Sequence, residues 1–230
     1  NSDPVQRIHR DVDFKIEHYN FKAGTMEAEA LRSKVIEVIE NFVRPFDLSK
    51  APLLRVGIVR TELSNPVLLF DLHHIITDGT SQMILEREFF SLYSGEELSL
   101  LKLHYKDFAE WQNSMVQQKL MRDQEGYWVH LLSDELPVLD LPIDYSRPLI
   151  QSFEGASVPF VLDERETRVI KDMVKESEAT LFMVILSIYN ILLSKLSGQE
   201  DIIVGTPIAG RRHADIEKII GMFVNTLSLR

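Results

Sequence analysis

Cysteine is absent from the 230-residue chain. That removes disulfides, thiolate nucleophiles and cysteine-based metal sites together, and it suits a reducing compartment. Positive charge is scarce: 25 Lys and Arg stand against 35 Asp and Glu, a formal net charge of -10. Phosphate backbones are held by basic faces, so the balance argues against nucleic acid as a partner. Long apolar runs are also lacking. The longest, Leu181 to Leu193, is interrupted by Ser187 and Asn190, and it falls short of the roughly 20 apolar residues that span a bilayer. The chain opens on Asn1-Ser2-Asp3-Pro4, with no Met and no signal-peptide pattern. It closes on Phe223 to Leu229, which alternates partly and reads as a strand still running. Both ends are expected to be cuts in a longer polypeptide. What is present is an ordinary globular composition, 45% hydrophobic and 26% charged.

The periodicity predicts an α/β (α+β) protein. From Met26 to Phe42, Ala28, Leu31, Val35, Val38 and Phe42 fall on one helical stripe, and Pro45 stops the helix soon after. Leu53–Val59 and Val67–His73 are β-rich runs on either side of the turn cluster 61–66, which predicts a hairpin. Helices are predicted from Ser81 to Tyr93 and from Tyr105 to Leu132. Three prolines then mark an extended connector from Leu136 to Phe153, a candidate seam between two lobes. Beyond it, Ala156–Leu162 reads as a strand. Asp163 with Glu166 forms a capping box for a helix, and Thr180 caps another that is apolar all round and expected to be buried. Asp201–Val204 and Phe223–Leu229 read as strands. The expected organisation is a first lobe over 1–115, a connector over 116–155 and a second lobe over 156–230.

The sharpest chemical pattern is His73-His74-Ile75-Ile76-Thr77-Asp78-Gly79. Neighbouring strand side chains point to opposite faces, so only one of the two histidines can face a given cleft. The strand is expected to break at Thr77-Asp78-Gly79, where Gly tolerates positive φ and Asp tolerates a turn. A strand-end histidine before such a turn is well placed to aim an imidazole at a substrate. A metal site on His74 and Asp78 lacks a third ligand at suitable spacing. A serine nucleophile at Ser81 fails because Met83 stands where the elbow needs its second glycine. The strand followed by Gly205-Thr206-Pro207-Ile208-Ala209-Gly210 has the outline of a phosphate loop. However, Arg211-Arg212 replaces the required Lys-Ser or Lys-Thr, and Pro207 removes an N–H. For Arg211-Arg212-His213 a solvated face is expected, with contact to an acidic protein or to a phosphate group as the other reading.

The run from His73 to Gly79 resembles the HHxxxDG signature of condensation domains of nonribosomal peptide synthetases, in the chloramphenicol acetyltransferase-like superfamily. Tyr105-Lys106-Asp107-Phe108-Ala109-Glu110-Trp111 is similar to the family's YxDFAxW motif, and Ile220 to Thr226 to its IGxFVNT motif. Leu139–Pro142 and Gly205–Arg211 are similar to stretches usual in the family. The resemblance implies two acetyltransferase-like lobes of mixed sheets and helices with the active site between them. It implies the absence from this chain of an upstream Arg-His-Glu-x-Leu-Arg segment and of the downstream latch, in a domain about twice as long. In many members that upstream segment supplies the arginine that pairs the motif aspartate, so Asp78 is expected to have lost its partner.

The implied reaction is amide bond formation between a carrier-bound acyl or peptidyl thioester and an aminoacyl acceptor. The implied partners are upstream and downstream peptidyl carrier proteins and an adjacent adenylation domain, in the cytoplasm, with neither nucleic acid nor membrane. No directly bound cofactor is implied, since the substrates ride on phosphopantetheine arms. By the resemblance His74 is the active-site histidine, acting as general base or orienting the amine, and His73 supports it. Asp78 and Gly79 hold the motif loop. Asn225 and Ser81 are expected beside the substrate tunnel, with a strand-end hydrogen bond as the other reading of Asn225. Three competing functions stand beside this one: a free-standing acyltransferase of the same superfamily, a catalytically silent condensation-like recruiting domain, and an epimerization domain.

Overall fold

The computed structural model describes residues 5–22, 28–62 and 65–230. The expected helix start at Met26 and part of the 61–66 turn lie outside the described residues. Within them the chain forms two compact units. The first comprises the residues up to 122 together with 208–225, and the second comprises 123–207 with 226–230. Thus 208–225, read from sequence as part of the second lobe, groups with the first unit.

The first unit is built on a three-stranded sheet of order β1-β2-β3. β1 (Ile16–Phe21) runs parallel to β2 (Leu54–Thr61), and β2 runs antiparallel to β3 (Val67–Leu72). The expected hairpin is β2-β3, and its register sets Arg55 opposite Asp71 and Leu54 opposite Leu72. The parallel pair β1-β2 needs a crossover, and α1 (Ala28–Phe42) supplies it. The predicted helical stripe is the one that packs: Leu31 and Phe42 are buried, while Val35 and Val38 are half-buried. Phe42 lies so close over Gly57 of β2 that a Cβ there would stand 2.8 Å from its ring.

α2 (Gly79–Tyr93) packs its Phe89 edge-on against Phe70 of β3. The sequence predicted one long helix after Tyr105; there are two, α3 (Tyr105–Gln112) and α4 (Met115–Leu131). The break falls at Asn113 and Ser114, whose N–H groups close back onto Ala109 and Trp111 in a tightened last turn. Both residues are weak helix formers that compete with the helical backbone.

In the second unit the capping box and the cap read from sequence are present. The Asp163 carboxylate accepts from Glu166 N at 2.7 Å, and Glu166 returns the bond to Asp163 N at 2.9 Å, opening α5 (Glu164–Glu176). Thr180 Oγ1 accepts from Met183 N at the start of α6 (Leu181–Ser197), which Gly198 closes at φ 70°. β4 (Val204–Ile208) pairs with β5 (Asn225–Leu229) in a two-stranded sheet.

Three expectations fail here. Asp201–Val204 is not a strand; only its last residue, Val204, is in one, at the start of β4. Ala156–Leu162 forms no strand; Val158, Phe160 and Val161 are more than four-fifths exposed. A strand exists only with a partner for its backbone groups, and among the described residues this segment pairs with none. α6 is not buried all round. Only Val184 and Leu193 are buried, and Leu181, Ile185 and Leu192 remain about half exposed; α5 is the element that packs most against this helix. No single described helix is long and apolar enough to cross a membrane.

Candidate active site

β3 delivers the histidine pair, but the strand ends one residue before it, at Leu72. His73 N donates to Leu53 O at 3.1 Å, the last tie to the hairpin. The chain then turns into one 3-10 turn, His74–Ile76, with His73 as its N-cap. The Ile75 N–H donates to His73 Nδ1 at 3.1 Å, so the His73 ring is engaged with the backbone and half-buried. His74 is exposed. The two histidines are therefore separated by a change of backbone conformation rather than by strand alternation, yet with the outcome that parity suggested: one turns inward and one opens to solvent.

Thr77, Asp78 and Ser81 follow, and all three are essentially sealed from solvent. Asp78 is the N-cap of α2, with one carboxylate oxygen accepting from Ser81 N at 2.8 Å. Its other oxygen accepts from Arg211 at 2.7 Å and from Phe223 N at 3.0 Å. This overturns the expectation of an unpartnered Asp78. The cation is Arg211, which also overturns the expectation that Arg211 lies on a solvated face: its side chain is 4% exposed. Arg212 and His213, by contrast, do lie near or at the surface.

Arg211 uses its planar fork on several acceptors. One amino group reaches Ser81 Oγ at 2.8 Å and Ile219 O at 3.1 Å, and the guanidinium lies over the Phe223 ring with 4.1 Å to its centroid. Lysine offers no such planar set of donors. Burial pushes the Asp78 carboxyl up, but the Arg211 hydrogen bond and the N–H groups of Ser81 and Phe223 outweigh it and hold the group at about 2. At neutral pH Asp78 is an anion with its lone pairs taken.

Ser81 was expected beside the tunnel. Its hydroxyl is instead fully buried, donating to Gly221 O at 2.8 Å and accepting from Gly221 N at 3.0 Å. Gly79 was expected for its tolerance of positive φ. It is the first residue of α2, is not among the positive-φ glycines, and has open space where a Cβ would stand. Asn225 is exposed at the first position of β5.

The other two motifs meet on the far side of Asp78. Tyr105 and Phe108 of α3 pack against the buried cluster Ile216, Ile219 and Phe223. Tyr105 Oη donates to Met222 O at 2.9 Å, and the ring lies where a Cβ on Gly221 would come within 2.1 Å of it. Burial, then the nearby Asp78 charge, raises the Tyr105 hydroxyl above its ordinary value. Gly210 sits at φ 68°, and a Cβ there would fall 2.0 Å from Phe223 O. Sequence reasoning missed Arg211 as a site residue. The available signal was a cation directly after a glycine in an apolar stretch, Ile208-Ala209-Gly210-Arg211.

Solved structures share this fold. A holo four-domain nonribosomal peptide synthetase bound to AMP and glycine superposes with a TM-score of 0.78 at 27% identity, over 94% of this chain and 16% of that one. The epimerization domain from the third module of tyrocidine synthetase B superposes at 0.73 with 22% identity, over 96% of this chain and 51% of its own. Residues 1–230 match the family model for the condensation domain, and the chain belongs to that family. Tyrocidine synthase 3 of Brevibacillus parabrevis is 50% identical over 230 residues, which is 100% of this chain and 3% of that protein. Gramicidin S synthase 2 of Aneurinibacillus migulanus is 49% identical over the same length, 5% of its own. The chain thus spans a small fraction of the curated relatives it matches.

Proposed function

We propose that this domain forms the peptide bond between a carrier-bound acyl or peptidyl thioester and a carrier-bound aminoacyl group. The observation that carries the reading is the division of labour inside the motif: His74 is exposed, while Asp78 is buried, ion-paired and held at about 2. The acceptor's α-amine attacks the thioester carbonyl, the C–N bond forms, the C–S bond breaks, and the phosphopantetheine thiolate leaves. His74 takes the proton shed by the amine nitrogen as it becomes an amide, and the thiolate is protonated in its turn. A free α-amine has a pKa of about 7.7–8.0, so its deprotonation before attack costs under about 1 kcal/mol near pH 7.5. The imidazole is needed for the proton lost after attack.

The relatives are peptide synthases, which supports carrier proteins and an adenylation domain as neighbours and phosphopantetheine arms as substrate carriers. Chemistry without a covalent acyl-enzyme accords with a chain that has no cysteine and whose Ser81 hydroxyl is bonded to backbone. The test is single-turnover condensation with loaded carriers in the synthetase that holds this domain. His74→Ala is expected to lower the rate by about 10²–10⁴; a loss of only a few fold would overturn the base assignment.

A further inference from the structure

Outside every motif, a stack of side chains stands behind the histidine turn. Arg55 of β2 and Asp71 of β3 are cross-strand partners and form an ion pair, with both side chains largely buried. The same guanidinium donates to Arg44 O at 2.6 Å and to Pro45 O at 2.8 Å, which fixes the segment that follows α1. Its flat face lies 3.7 Å from the centroid of the Phe46 ring. The Phe46 ring in turn meets the His73 ring at right angles, with centroids 6.1 Å apart. His73 Nδ1 then accepts the Ile75 N–H and caps the turn that carries His74.

We propose that Phe46 and Arg55 are positioning residues for His74, acting through His73. Each link has a directional requirement. The carboxylate of Asp71 and the two carbonyls set the plane of the guanidinium, because a planar fork satisfies three acceptors in one orientation only. The guanidinium and the perpendicular imidazole confine Phe46 from two sides, and both contacts depend on the ring's quadrupole, which an aliphatic side chain lacks. Phe46 fixes the rotation of the His73 ring, and that rotation decides whether Nδ1 faces the Ile75 N–H. If His73 swings away, the turn loses its cap and His74 loses its fixed origin. A displacement of about 1 Å at a reacting group is worth up to about a hundredfold in rate.

This inference rests on the reading of His74 as the base, so the experiment separates the two. In the intact synthetase, Phe46→Leu, Phe46→Tyr, Arg55→Lys and His74→Ala are compared by single-turnover condensation, by KM for the loaded acceptor carrier and by the ¹⁵N shift of His73 Nδ1. Phe46→Leu and Arg55→Lys are expected to slow the step by about tenfold to a hundredfold at unchanged KM. The Nδ1 signal is expected to move away from that of a nitrogen accepting a hydrogen bond, and Phe46→Tyr to restore both rate and shift. An unchanged Nδ1 signal and an unchanged rate in Phe46→Leu and Arg55→Lys, while His74→Ala is slow, would overturn the positioning role alone. A fast His74→Ala would overturn the base assignment on which this inference rests. Phe46→Leu keeps an apolar side chain at the site, and should it fail to fold, Arg55→Lys with its Nδ1 signal decides the matter.

Discussion

Asp78 and Arg211 stand 133 residues apart in sequence and 2.7 Å apart in space. Neither touches solvent to any extent, and each is further tied to the backbone, Asp78 to Ser81 and Phe223, Arg211 to Ile219. The pair joins the start of α2 to the 208–225 segment and so makes one structural unit of the histidine motif and the Phe-Val-Asn-Thr motif region.

Removing one partner leaves the other as a buried, uncompensated charge. Arg211→Ala is expected to destabilise the domain by about 3–5 kcal/mol. Arg211→Lys keeps the charge but loses the fork and is expected to recover only part of that. Urea unfolding midpoints of the domain measure both. Equal stability for Arg211→Ala and the parent would contradict the assignment of the pair as structural.

Acid should act through the same carboxylate. Its folded value of about 2 lies below the ordinary 3.8. Protons therefore bind the unfolded chain first as pH falls. The stabilisation is complete above about pH 4, declines below it, and is gone once pH passes below about 2. Its size is on the order of 2 kcal/mol. Unfolding midpoints at pH 5 and pH 2.5 should differ more for the parent than for Asp78→Asn. Identical differences would place the acid sensitivity elsewhere.

Gly221 lies against Tyr105, and its replacement by Ala would set a Cβ 2.1 Å from the ring. Tyr105 is held by its bond to Met222 O and by an edge-to-face contact with Phe223, so it cannot swing aside without losing both. Gly221→Ala is expected to cost at least about 1–3 kcal/mol. Adding Tyr105→Ala should remove the clash, so the double variant is expected to be more stable than the two separate losses predict. Strict additivity in a double-mutant cycle would rule out the contact.

Gly79 has no steric neighbour at its Cβ position and no positive φ. Gly79→Ala is expected to keep or raise thermal stability by up to about 1 kcal/mol. A glycine without a structural need, one residue from the buried aspartate and at an exposed helix start, suits close approach of a substrate backbone. Condensation by this variant should fall although its melting point does not. Unchanged turnover would remove Gly79 from the site.

Local features were legible in the sequence. The caps at Asp163 and Thr180, the stop at Gly198 and the β2-β3 hairpin follow from spacing and turn chemistry within a few residues. That His73 and His74 point different ways was legible too, although the backbone achieves it by a 3-10 turn; which of them is the exposed one came from the family resemblance. What escaped was set by distant partners. Nothing near Arg211 indicates that its counter-charge lies 133 residues upstream. Apolar residues in Ala156–Leu162 and around α6 show what those segments could bury, and periodicity carries no information on whether a neighbour covers them. Gly79 was misread for a similar reason. The pattern Asp-Gly suggests a turn, but Asp78 as N-cap already makes the turn, and the glycine begins the helix.

The placement of 208–225 in the first unit bears on how the chain is made. During synthesis Asp78 emerges long before Arg211, and at ribosomal rates of 5–20 residues per second the intervening 133 residues take roughly 7 to 27 s. Through that interval the nascent first unit holds an anion with no cation to bury it and lacks the Phe223 aromatic wedge. Its packing around Asp78, Tyr105 and Phe108 is completed only once residues 208–225 have been made.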